Sequence, residues 1–184
     1  MRMMLALLVL GTASCPAIAE SALNPVSGPV IPDYGPVYYV PEEPLELPAD
    51  LQLKAVFDIA AAPDDPGELN DRLETIARYL NMHARAGVAP EQLTTAVVLH
   101  GRATRAALGN DGFEKRFKIS NPDARLILLL ADAGVQFFVC GQSVAASGFR
   151  AEELAADIQL SLSALTALVM LQTDGFALIP WGTD

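Results

Sequence analysis

The sequence predicts an α/β fold, a three-layer sandwich built on a parallel sheet of about five strands. Three observations predict it. From Leu53 onward short apolar runs alternate with longer stretches of helical period. Most of the short runs are continuously hydrophobic, as strands covered on both faces require. Glycines or prolines stand where one pattern gives way to the next. At 184 residues and 52% hydrophobic content, the chain has room for one domain with a sizeable core.

The chain opens with an export signal. Arg2 precedes the apolar run Met3 to Leu10, which breaks at Gly11 and leads to the small-residue pattern Ala17-Ile18-Ala19. Residues 1–19 are assigned as a signal peptide cut after Ala19, which sends the protein to the periplasm or the exterior. Lipid anchoring at Cys15 ranks second, because Thr12 stands where lipoprotein signals carry a large aliphatic. Residues 20–50 form an extended arm, with prolines at 25, 29, 32, 36, 41, 44 and 48 that block helices and central strands. Composition favours a flexible tether, although Val37-Tyr38-Tyr39-Val40 is apolar enough to dock on the domain or on a neighbouring subunit.

Residues 51–184 make the α/β domain. Lys54 to Ala60 is the first strand, closed by the Pro63-Asp64-Asp65-Pro66 turn. A helix follows with Leu69, Leu73, Ile76, Ala77, Leu80 and Ala84 along one face and Gly87 as its stop. Leu93 to His100 is the second strand, and Gly101 turns the chain out of it. Thr104 to Lys118 reads as a short helix and loop. Asn121-Pro122-Asp123 supplies a cap, a first-turn proline and a first-turn acid for a helix ending at Gly134. Its run Leu126 to Leu130 is apolar throughout and predicts cover on most sides. Val135 to Cys140 is strand three. Ile158, Leu160 and Leu162 alternate with Gln159, Ser161 and Ser163 in strand four, a helix spans about Ala164 to Gln172, and Phe176 to Pro180 is the last strand.

Charge narrows the partners. Loss of Arg2 with the leader takes the formal net charge from −10 to −11, which disfavours nucleic acid and anionic membrane surfaces. Nothing after the leader offers the roughly 20 apolar residues of a membrane span. Once Cys15 leaves, Cys140 has no partner for an intrachain disulfide, so the fold rests on packing.

Ligands of open parallel sheets bind outside the carboxyl ends of the strands. His100, Cys140 and Trp181 fall at three such ends. Cys140 closes its strand and is followed by Gly141 and a segment, Gln142 to Ala146, able to open a helix whose free N–H groups would favour a thiolate. Packing as a small hydrophobe at a strand end is the competing reading. His100 could orient a substrate, act as acid or base, or cap a loop; His83, at a polar helix position, is given no role. Two histidines and one cysteine so dispersed show no metal-ligand spacing, and no cofactor is called for. Gly67, Gly101 and Gly141 are isolated and form no phosphate loop, and CGQSVAASG is not a hydrolase elbow.

Several strings together carry a family resemblance: NMHARAGV (Asn81 to Val88), VVLHGRA (Val97 to Ala103), Asn121-Pro122, VCGQS (Val139 to Ser143) and SALTALVMLQTDGFALI (Ser163 to Ile179). From about Leu51 to the end, the chain resembles the DsrE/DsrF-like family, in particular its exported bacterial members. The resemblance implies a parallel α/β sandwich assembled as a trimer or hexamer. In the sulfur-relay members it also implies a persulfide-carrying cysteine after the third strand, the position of Cys140. Two functions follow as expectations. In the first, Cys140 accepts sulfane sulfur from a donor and passes it to an acceptor protein or small molecule, with His100, Gly101, Gly141, Gln142 and Ser143 holding the ligand. In the second, the protein is an oligomeric, non-catalytic binding or structural module of the periplasm with Cys140 packed.

Overall fold

The computed structural model describes residues 24–40 and 46–180; the predicted leader, Cys15 and Trp181 lie outside the described residues. Five strands form one sheet: β1 (Leu53–Ile59), β2 (Leu93–Leu99), β3 (Gln136–Cys140), β4 (Ile158–Ser161) and β5 (Ala177–Pro180). Their order is β4-β3-β2-β1-β5, and every pairing is parallel. Among the described residues five α-helices accompany them: α1 (Asp71–Arg85), α2 (Asn110–Phe117), α3 (Ala124–Asp132), α4 (Gly141–Ala146) and α5 (Ala164–Thr173). The α/β sandwich read from the sequence is present. Among the described residues no helix is long and apolar enough to cross a membrane.

The three layers are unequal. Alternation along the strands sends Phe57, Ile59, Val97, Leu99, Phe137 and Val139 to one face, where they meet Leu73, Ile76 and Leu80 of α1, Leu126 and Leu130 of α3, and Val144 of α4. The other face, with Val56, Ala96, Val98 and Cys140, is covered by Ala164, Ala167 and Leu171 of α5 and by Phe176. With a single helix on that side among the described residues, Leu165, Val169 and Met170 of α5 stay exposed.

One expectation needs correction. Cover on most sides of Leu126 to Leu130 does not hold, because α3 buries Leu126, Ile127 and Leu130 while Leu128 is 46% exposed. β4 is an edge strand, and along it Ile158 is buried while Leu160, and Leu162 just past its end, are exposed. The Asn121 cap is real in a modified form. The Asn121 side-chain oxygen accepts the Asp123 N–H at 2.9 Å in a turn ahead of α3, and the regular helix starts at Ala124.

Asp123 is thereby turned inward, 3% exposed, where its carboxylate accepts the N–H of Asn70, the N-cap of α1, at 2.8 Å. Burial pushes its pKa above the ordinary aspartate value, against the pull of that N–H and of Arg105. A raised carboxyl pKa means the folded state binds the proton more tightly than the unfolded chain. This contribution to stability is complete below the ordinary aspartate value and is lost as pH rises through the folded pKa. Asp123→Asn, which keeps an acceptor without the buried charge, is expected to gain stability over wild type at pH 7. The gain should shrink as urea titrations are taken down through that range.

The arm is not a tether where it is described. Val26 and Val37 exchange two backbone hydrogen bonds, closing a loop that lies on α1. Asn81, fully buried on α1, accepts the N–H groups of Val30 and Ile31 and donates to the carbonyls of Ile31, Tyr34 and Gly35. Arg85 closes the other end by donating to the carbonyls of Gly28 and Ser27. The anchoring side chain is Ile31, which enters the main core. Of the expected docking run Val37 to Val40, Val37 is half-buried, while Tyr38, Tyr39 and Val40 are exposed.

Candidate functional site

The rim predicted from the strand ends brings two of its three groups together. Leu99 pairs with Val139, so His100 and Cys140 are the next residues along neighbouring strands. His100 remains extended (φ −151°, ψ −176°), so alternation points it, like Cys140, toward the α5 side of the sheet.

Cys140 is the N-cap of α4 and is 5% exposed. Its side chain makes no regular capping hydrogen bond. Burial pushes the thiol pKa up. The Ser143 hydroxyl and the N–H groups of Ser143, Ala164 and Gln142 act in the opposite sense by favouring the thiolate, and they prevail: the pKa lies below the ordinary cysteine value. Ala164 opens α5, so the starts of two helices converge on one sulfur. The Ser163 cap, whose hydroxyl accepts the Thr166 N–H at 3.0 Å, fixes the second of these starts.

The remaining predicted residues connect to this sulfur in different ways. Ser143 both faces Cys140 and accepts the Gly101 N–H at 3.2 Å, so it ties the β3 rim to the β2 rim. Gly101 sits at φ +52°, and a Cβ there would stand 3.0 Å from the Ala60 carbonyl, which explains the glycine. Gly141 lies so close to β4 that a Cβ would meet the Ser161 carbonyl at 2.5 Å. Gln142 is exposed, its side chain reaching the Leu162 carbonyl at a long 3.4 Å.

His100 has a partner that sequence reasoning missed. Its Nε2 lies 2.8 Å from an Asp58 carboxylate oxygen, both side chains being about three-quarters buried. The only local signal was an acid in the otherwise apolar run Ala55 to Ala60. Ala164 was missed too, since a backbone N–H carries no sequence signature. A cleft of about 390 Å³ lies elsewhere, lined by Gly109 to Gly112, Lys115 and Glu152 to Leu154. It includes none of the groups around Cys140. Glu153 in its wall is already engaged by Arg116 and Lys115 and held down to a pKa of about 2.

The DsrE/DsrF-like family profile matches residues 54–181. The chain belongs to the DsrE/DsrF-like family. Two solved structures are similar to this DsrE/DsrF-like chain, and the first of them shares its fold. A protein of unknown function from Methanobacterium thermoautotrophicum is 22% identical over 70% of this chain and 99% of its own, with a TM-score of 0.52. The ychN protein from E. coli is 17% identical over 70% and 98%, with a TM-score of 0.49. Among curated proteins none matches.

Proposed function

We propose that the protein is an exported carrier of sulfane sulfur, held as a persulfide on Cys140. The observation that carries this reading is the converging set of donors, the Ser143 hydroxyl and the N–H groups of Ser143, Ala164 and Gln142, that favours a thiolate at the end of β3. The Cys140 thiolate attacks the outer sulfur of a donor persulfide. The donor's S–S bond breaks, its electron pair leaves on the donor thiolate, and Cys140 becomes a persulfide with no net oxidation or reduction. An acceptor thiolate then attacks the outer sulfur, and the Cys140 thiolate departs. The amide donors that favour the first thiolate favour its return as leaving group.

Intact-mass measurement after exposure to a sulfane donor tests the reading. A species one sulfur atom heavier is expected in wild type and absent in Cys140→Ser; no gain in wild type, or an equal gain in the variant, refutes it. The low exposure of Cys140 favours a second reading, a non-catalytic oligomeric module. In that case alkylating reagents reach Cys140 only after unfolding, whereas a carrier is labelled while native.

A further inference from the structure

The sulfur-carrier reading leaves the proton of the leaving or entering thiol without a holder. Asp58 and His100 are a titratable pair, on β1 and just past β2, and β2 adjoins the strand that ends in Cys140. The carboxylate can only accept, so the 2.8 Å contact puts the proton on Nε2 of His100 and leaves Nδ1 as the second proton site. Among the described residues no group bonds Nδ1. The β1–β2 and β2–β3 registers place Asp58, His100 and Cys140 on the α5 side of three adjacent strands, at their carboxyl ends. The residue after His100 donates its N–H to the Ser143 hydroxyl, in the helix that Cys140 caps.

We infer that His100, oriented by Asp58, is the general acid and base of thiol exchange at Cys140. This role rests on Cys140 being the exchanging sulfur. As Cys140 attacks and the donor's S–S bond breaks, the departing thiolate takes the proton from Nδ1 of a His100 imidazolium whose Nε2–H is held by Asp58. In the second half the acceptor thiol returns a proton to Nδ1, and its thiolate attacks the outer sulfur of the Cys140 persulfide. One proton and one sulfur cross the site per cycle, and the resting state is restored. Asp58 touches no substrate and is a positioning residue.

The role predicts a dependence on the leaving group that a merely structural contact would not produce. An aromatic disulfide releases a thiolate that needs no proton, whereas an alkyl disulfide such as cystamine releases a basic one that does. With the native full chain, His100→Gln is expected to slow Cys140 exchange with cystamine by about 10- to 100-fold and with the aromatic disulfide by less than about 2-fold. Asp58→Asn should fall between, and Asp58→Glu should restore most of the cystamine rate. Equal slowing with both reagents, or none, overturns the role. A native Cys140 inert to both overturns it together with the carrier reading. Leaving-group-selective slowing without any persulfide on the wild-type protein removes the carrier reading alone.

Discussion

Gly35→Ala is expected to lift the arm from the domain and to lower stability by about 3 kcal/mol. Gly35 has φ +63°, a region that costs an alanine about 1 kcal/mol or more by itself. The contact is worse than the torsion. A Cβ built there stands 2.1 Å from the Arg78 nitrogen and 2.4 Å from the Ala77 carbonyl carbon, both main-chain atoms in the middle of α1. A flexible side chain could move aside; a helix backbone pinned by Ile76, Ala77 and Leu80 in the core cannot. The arm must therefore rise, taking Ile31 out of the core and breaking the five hydrogen bonds of Asn81. Burial of an isoleucine side chain alone contributes about 1.5 to 3 kcal/mol. Chain entropy regained by the freed loop offsets part of the loss.

Two measurements read this result: a lower urea midpoint, and new protease cleavage confined to residues 26–37. Asn81→Ala approaches the same loop without a clash. It leaves two arm N–H groups and three carbonyls without their partner, for an expected loss of about 2 to 3 kcal/mol. If Gly35→Ala kept the wild-type midpoint and resisted cleavage, the close approach of arm and helix would be wrong.

The pattern of success in reading the chain follows from the range of the forces involved. Helix and strand positions were legible because their signals are local: apolar residues recur at helical spacing along Leu73, Ile76, Ala77 and Leu80, and Gly87, Gly134 and Gly175 stand just past helix ends at positive φ. Cys140 and His100 were legible because strand ends are places, not partners. Strand order was not legible, since every parallel pairing joins residues far apart in sequence and no local pattern marks β4 as an edge. The exposure of Leu160 and Leu162 goes with that edge position. Ile31 was overlooked as one aliphatic among prolines, and Asn81 as one amide on a buried helix face. Each makes sense only with the other present. Asp58 was hidden for the same reason, because its role depends on a histidine 42 residues away.

Gly141→Ala is expected to damage both the fold and the thiol, and the pairing of the two effects is diagnostic. Cys140 pairs with Ser161, and the Ser161 hydroxyl donates to the Val139 carbonyl at 2.9 Å, so β3 and β4 are drawn together just where Gly141 passes. An added Cβ would lie 2.5 Å from the Ser161 carbonyl and 3.2 Å from that of Leu162. Relief requires the end of β4 to move outward, and overpacking of this kind costs up to about 3 kcal/mol. The displacement does not stop there, because Ser161 is followed by Ser163 and by Ala164, whose N–H faces the sulfur. Losing that donor raises the Cys140 pKa, and each unit of rise cuts the thiolate fraction below the pKa by about tenfold. Native alkylation at neutral pH should slow accordingly.

Ser143→Ala separates the two effects. It deletes the hydroxyl that faces the sulfur and that receives the Gly101 N–H, and it adds no atom. Slower alkylation is expected with only a small change in the urea midpoint, and its pH profile should move to higher pH. An unmoved profile in Ser143→Ala, with Gly141→Ala losing stability alone, would mean that the amides and hydroxyl around Cys140 hold the chain together without preparing its sulfur.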